Sequence, residues 1–332
     1  MNMSEYQSSR RSLSALFGPV LRRVVFPVPR HLAQRQIQLD EERLQTIAVA
    51  IRDRYLPHQG SDIPGDESQD RELADHLLGR LEIARRGVVP WLDSVGALLG
   101  QRILEIGCGT GASTVALAEQ GAQVIAVDAD EASMGVARIR CEAYELPVTF
   151  HAMNATEILT KLGGTIFDSV VFYASLEHMK LEERLTSLRA AWDLLADGGV
   201  LVVVETPNRL WHSDHHTSLL PFFHWLPEEL AFLYAKYSPR KNFAELYADY
   251  SNEKEREHFV RRGRGVSFHE FVIALGPQKG LNVVSSWSIF RGRWFRLKLS
   301  RADRRYMRLL ASLCPGLHEG FLCRDLYLAI RK

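Results

Sequence analysis

The stretch Arg102-Ile103-Leu104-Glu105-Ile106-Gly107-Cys108-Gly109-Thr110-Gly111 constrains this chain more than any other. A short apolar run ends in three alternate glycines, and Ala112 to Ala118 continues at helical spacing, so the pattern reads as strand, tight turn and helix start. Glycines let a backbone pass close to a ligand, and the amides at a helix start favour a negative group nearby. A nucleotide-like ligand is the first expectation. Gly107, Gly109 and Ala112 also fit the relaxed dinucleotide fingerprint G-x-G-x-x-G/A. The turn alone therefore leaves open a nicotinamide cofactor, and also glycines that only pack strand on helix.

The following segments extend the pattern. Gln123 to Val127 reads as a second strand ending at Asp128, close to the distance at which such folds place an acid on a ribose hydroxyl pair. Asp130 is placed to cap a helix from Glu131 to Tyr144, and Pro147 to Ala152 reads as a third strand. Phe167 to Tyr173 is a fourth, running into Leu176-Glu177-His178; a helix from Leu181 to Leu195 then closes at Asp197-Gly198-Gly199 before a fifth strand, Val200 to Glu205. Strand and helix alternate throughout. The expected fold is α/β and Rossmann-like, a doubly wound, mostly parallel seven-stranded sheet. Its sixth and seventh strands are expected at Leu281 to Ser288 and Asp325 to Ile330, the last antiparallel.

Residues 102 to 209 resemble the class I S-adenosylmethionine-dependent methyltransferases, and the Leu176-Glu177-His178 and Leu194-to-Arg209 segments are similar to those of ubiquinone-biosynthesis-type small-molecule O-methyltransferases. The resemblance implies S-adenosylmethionine as cofactor, with Glu105 on the methionine amino group, Asp128 on the ribose and Asn154 on the adenine amino group, where the family usually has an acid. Gly107, Cys108, Gly109, Gly111, Ala129, Ala155 and Tyr173 complete the expected cofactor-binding set. It also places His178 near cofactor and acceptor, where a neutral imidazole can take a hydroxyl proton as the methyl arrives. The expected reaction is O-methylation of a small molecule. A nicotinamide-dependent oxidoreductase, or a non-catalytic cofactor-binding protein with a basic RNA- or partner-binding face, are the alternatives.

Asn208 to about Gly265 is an insertion, dense in aromatics, that starts where strand ends meet ligands, so it is expected to form a lid. Its His212, Asp214, His215, His216 and His224 are metal-ligand residue types, yet they lack an ordered motif such as H-E-x-x-H, and no metal is assigned. His215 or His216 is instead expected to move a proton or hold the acceptor. The expected organisation is an N-terminal helical region with a linker (1–99), a cofactor-binding core (100–207), the lid (208–265) and a C-terminal part of the core (266–332).

Residues 1 to about 39 are Arg- and Ser-rich with near-helical apolar spacing, which fits a surface helix, a transit peptide or a membrane contact. Residues 291–308 interleave basic residues with Trp294 and Phe295, which fits a solvated, partly salt-bridged helix face, and also a phosphorylated substrate, an anionic membrane surface or RNA. A formal net charge of +1 provides no global field toward nucleic acid. Four scattered cysteines without a C-x-x-C pair, and no apolar run long enough for a membrane span, fit a soluble cytoplasmic protein. Oligomeric state and acceptor identity are left open.

Overall fold

The computed structural model describes residues 32, 35–58, 66–247, 249–276 and 281–332, which form two compact units. Most of the 1–39 segment, and residues 59–65 of the Pro/Gly-rich linker, lie outside the described residues. One unit holds the described residues up to Leu99 with Cys108–Ala122 and Asp130–Val148; the other holds Gly100–Gly107, Gln123–Ala129 and Thr149–Lys332.

The first unit is helical. Asp40 caps the Glu41–Ala50 helix through the Arg43 amide (2.8 Å), and Ile47, Ala48, Ala50 and Ile51 are buried with Leu44 half-buried. One helical run extends from Asp66 to Val95, with wider turns at Asp75–Gly79 and Ala84–Val88. Pro90 stands in the first turn of Val89–Val95, directly after the wider turn Ala84–Val88. Arg140, fully buried, donates to the carbonyls of Thr110 (2.7 Å), Leu77 (2.8 Å) and His76 (2.6 Å). Arg85 forms a two-pronged pair with buried Glu119 (2.8 and 2.7 Å). These two buried arginines hold the interior of this unit together, Arg140 with a carbonyl on each of its three nitrogens and Arg85 with the Glu119 carboxylate.

The second unit is a seven-stranded sheet. Its strands are β1 (Arg102–Ile106), β2 (Gln123–Asp128), β3 (Thr149–Ala152), β4 (Phe167–Tyr173), β5 (Leu195–Pro207), β6 (Val283–Ser286) and β7 (Asp325–Arg331). The order is β3-β2-β1-β4-β5-β7-β6. Pairings from β3 to β5 are parallel, and β7 runs antiparallel to both β5 and β6, as expected of the last strand. Successive strands step one way from β1 to β3 and the other way from β4 to β5, so the order reverses between β1 and β4, where open α/β sheets bind ligands beyond the carboxyl strand ends. β6 is shorter than expected, because the Ser286 hydroxyl accepts the Ile289 amide (3.4 Å) and starts a helix at Trp287.

Sheet residues such as Leu104, Ile106, Val170, Phe172, Leu201, Val203, Leu328 and Ile330 form the main core with Leu188, Ala191 and Phe271. The insertion has a separate core of Phe223, Phe232, Phe243, Tyr247 and Phe259, between the helices Glu228–Ala235, Lys241–Leu246 and Glu253–Val260. Among the described residues, no helix is long and apolar enough to cross a membrane.

Candidate functional site

The glycine turn divides its tasks. Gly107, at φ +86°, would put a Cβ 2.4 Å from Ser175 Cβ, and Ser175 Oγ donates to the Ile106 carbonyl (2.9 Å), so this glycine lets β1 and the end of β4 meet. In the helical unit Gly111, at φ +79°, would bring a Cβ 2.9 Å from Ala137, so it serves helix packing. Gly109, at φ +49°, has nothing within 4 Å of that position. Only Gly109 has the open surroundings that a close ligand approach needs. Cys108, buried in the same unit, follows Gly107 in the chain.

Glu105 is fully buried in β1 between Ala126 and Val171 on its two neighbours. Asp128 ends β2 half-buried, with exposed Ala129 beyond it. Asp130, not Asp128, caps the following helix, accepting from the Ala132 amide at 3.1 Å and the Ser133 amide at 3.2 Å, which leaves Asp128 out of that role. Asn154 is itself a cap. Its Oδ1 accepts from the Thr156 amide and hydroxyl (3.0 Å each), and Glu157 returns a bond to its own amide (3.1 Å). Ala155, next to it, is buried, and Tyr173 closes β4 half-buried. Ala174 (φ 44°) and Glu205 (φ 61°) hold left-handed conformations at the ends of adjacent strands. Strain of that kind in non-glycine residues gathers at functional edges.

His178 follows β4 in a single 3₁₀ turn, Leu176–His178. Its Nδ1 contacts the Arg261 carbonyl at 2.8 Å and must donate there, so Nε2 carries the lone pair. Arg261 is fixed by a two-pronged pair with Glu183 (2.9 and 2.8 Å). Buried Arg184 ties the same region together, donating to the carbonyls of Leu176 (2.7 Å), Glu177 (3.2 Å), Arg264 (2.9 Å) and Gly265 (3.3 Å) and to Glu270 (3.2 Å). Glu177 is fully buried. One oxygen accepts from Thr206 (3.2 Å); the other, Oε1, has no hydrogen-bond donor among the described residues and stands 4.0 Å from His178 Nε2.

The insertion histidines separate by surroundings. His212 stacks on Trp211 and meets Tyr306 edge-on. His224 Nδ1 accepts the Gly265 amide (3.1 Å), so its Nε2 donates to Asp214 (3.3 Å). Burial opposes charge on Asp214, but His224 and the amides of Thr217 and Ser218 overcome it and hold the carboxyl below its usual range. Asp214 and His224 therefore build the turn. His215 is exposed and bonded to Ser213 Oγ (2.9 Å). His216 alone reaches the end of β4: one of its ring nitrogens, one of His178's and a Glu177 oxygen all lie within 4.8 Å of one another. The Thr217 hydroxyl gives its proton to the carbonyls of Arg262 (2.9 Å) and Gly263 (2.8 Å), so it accepts from His216 Nδ1 (3.1 Å) and leaves Nε2 with the lone pair. Desolvation is the chief cause that lowers the His216 pKa. Sequence reading named the Glu177–His178 pair but gave Glu177 no role; its burial was the missing information.

Residues 103–199 match the family model for a methyltransferase domain. The chain is 33% identical over 121 residues to a ubiquinone biosynthesis O-methyltransferase of Pseudomonas aeruginosa (strain LESB58), covering 36% of this chain and 50% of that protein. It is 36% identical over 118 residues to the ubiquinone biosynthesis O-methyltransferase of Dinoroseobacter shibae, covering 36% and 46%. The chain thus spans about half the length of these curated relatives. A solved magnesium protoporphyrin IX methyltransferase from Synechocystis PCC 6803 with bound SAM is 24% identical, with a TM-score of 0.37, over 52% of this chain and 80% of its own. The match from β1 to the start of β5, set in a seven-stranded sheet whose β7 runs antiparallel to both its neighbours, gives residues 103–199 a methyltransferase domain of the class I S-adenosylmethionine-dependent kind.

Proposed function

We propose that the chain transfers a methyl group from S-adenosylmethionine to a hydroxyl oxygen of a small molecule. When bound, S-adenosylmethionine supplies an electrophilic methyl on a sulfonium. In the sheet unit, buried Glu105 is assigned to the methionine amino group and Asp128 to the ribose hydroxyls, two donors to one carboxylate. Asn154 takes the adenine edge. Because its Oδ1 already serves Thr156, adenine selectivity is expected to be weaker than an acid at this place would give.

The acceptor oxygen gains a carbon bond as the sulfur–carbon bond breaks, and the sulfonium leaves as a neutral thioether. A hydroxyl must also lose its proton. His178, with His216 beside it, is assigned to draw it off; one ring nitrogen of each and a Glu177 oxygen lie within 4.8 Å of one another. The observation that carries this reading is the fixed tautomer of His178, with Nδ1 tied to Arg261 and Nε2 turned to buried Glu177. An amine or carboxylate acceptor would not need this arrangement in the same way.

His178→Ala tests it. The expected result is a loss of kcat of roughly 10²-fold or more on a hydroxyl acceptor, with S-adenosylhomocysteine affinity retained. Unchanged kcat would remove the histidine from the reaction.

A further inference from the structure

Arg184, in the helix Leu181–Leu194, is 4% exposed, and its guanidinium has five acceptors for its five N–H groups. Nε donates to the Leu176 carbonyl (2.7 Å), one terminal nitrogen to the Gly265 carbonyl (3.3 Å) and to Glu270 (3.2 Å), and the other to the carbonyls of Glu177 (3.2 Å) and Arg264 (2.9 Å). These acceptors come from three pieces of chain: the turn after β4, the end of the insertion, and the helix Phe268–Leu275. A buried cation bound in this way fixes its partners relative to one another, because each broken bond leaves a buried polar group unpaired.

The end of the insertion is also the backbone that serves both histidines. The Arg261 carbonyl takes the His178 Nδ1 proton (2.8 Å). The carbonyls of Arg262 (2.9 Å) and Gly263 (2.8 Å) take the Thr217 hydroxyl, which accepts from His216 Nδ1 (3.1 Å). The next two carbonyls, of Arg264 and Gly265, are the ones that Arg184 holds, and the Arg264 amide returns to the Glu177 carbonyl (3.0 Å). Five consecutive carbonyls are thus divided between the histidines and the arginine. The turn that carries His178 and the run that receives its proton meet on one planar cation.

We infer that Arg184 is a positioning residue for His178: it fixes the turn after β4 against the Arg261–Gly265 run and thereby holds the imidazole in the tautomer with its lone pair on Nε2. The inference deepens the hydroxyl reading and rests on it. Which ring nitrogen carries the proton is set by the bond the other makes, so a shift of the Arg261 carbonyl releases the tautomer. A lysine would keep the charge beside Glu270, yet its single nitrogen cannot reach acceptors on both edges of a planar fork. The rival anchor is the Arg261 side chain, paired with Glu183 (2.9 and 2.8 Å). That pair is 38% and 22% exposed and ties down the end of a long side chain, a weaker hold on the backbone.

Imidazole ¹⁵N NMR above the titration range of histidine reads the tautomer directly on the full chain, with His178 assigned by its loss in His178→Ala. The wild type is expected to show His178 protonated on Nδ1 and unprotonated on Nε2. In Arg184→Lys the His178 Nε2 resonance is expected to move toward the mean of the protonated and unprotonated positions. His318, whose Nδ1 accepts the Gly320 amide (3.1 Å), is expected to keep its proton on Nε2 in both proteins. Glu183→Gln, which frees only the Arg261 side chain, is expected to leave His178 as in the wild type. An unchanged His178 tautomer in folded Arg184→Lys, or a changed one in Glu183→Gln, would overturn the assignment, and the second result decides even where Arg184→Lys does not fold. The readout needs no methyl acceptor, so it stands or falls apart from the kcat lost in His178→Ala.

Discussion

Gly263 shows how one residue without a side chain can set a functional group. At φ +99° it sits where a Cβ would come within 2.9 Å of both His216 Nδ1 and Thr217 Oγ1. Gly263→Ala is expected to strain the backbone by about 1–3 kcal/mol and to push His216 off its Thr217 contact. Methyl transfer should fall roughly 10²-fold while S-adenosylhomocysteine affinity stays within a few-fold, checked by steady-state kinetics and calorimetry side by side. At the other end of the site, Asp128→Ala is expected to weaken S-adenosylhomocysteine by about 1.5–3 kcal/mol, seen as a rise in Kd, since a charged acceptor is lost. Asp128 was legible from its place after β2. The meeting of Glu177 and His178 with His216 was not, because 37 residues lie between His178 and His216 and only the fold brings them back. Periodicity reports which face a side chain takes, and says nothing of which distant loop returns to it.

Among elements, the insertion carries its own small core. Phe259 packs on Phe223, Phe232 and Tyr247, with ring centroids 5.9, 5.1 and 4.9 Å away. Phe259→Ala is expected to cost about 3–5 kcal/mol, read in a denaturant titration against the wild type. The aromatic density of this segment announced a packed body in the sequence. Its return path was hidden: the Arg264 amide donates to the Glu177 carbonyl (3.0 Å), and the Val266 amide to the Pro207 carbonyl (2.8 Å). These are backbone bonds that any residue types could make, so composition carries no sign of them. The Ser267–Glu270 capping box, by contrast, uses side chains, so the S-x-x-E spacing in the sequence marks it; the Ser267 amide donates to Glu270 Oε1 at 3.0 Å.

At the scale of the whole molecule, alternation of strand and helix after one glycine turn was enough to place the sheet. The interior of the helical unit was not legible, because buried arginines look like any others in a sequence. Arg140 has three backbone carbonyls, and Arg85 has Glu119. His76 in that unit is held neutral, its pKa pushed from 6.5 down to about 2, chiefly by burial and then by Arg80 and Arg140. The unfolded chain binds a proton on this ring below about 6.5 and the folded chain does not, so stability falls as pH drops below that value. The slope is about 1.4 kcal/mol per pH unit from this residue alone. Denaturation at pH 5 and pH 7 should show that loss in the wild type and a smaller one in His76→Gln.

The central claim is that this chain holds a methyl donor at the carboxyl edge of its sheet. Calorimetric titration of purified protein with S-adenosylhomocysteine tests it most directly. The expected result is saturable binding at one site per chain, weakened in Asp128→Ala, with no heat from NADH. Absence of binding, or saturable binding of NADH in its place, would contradict the account.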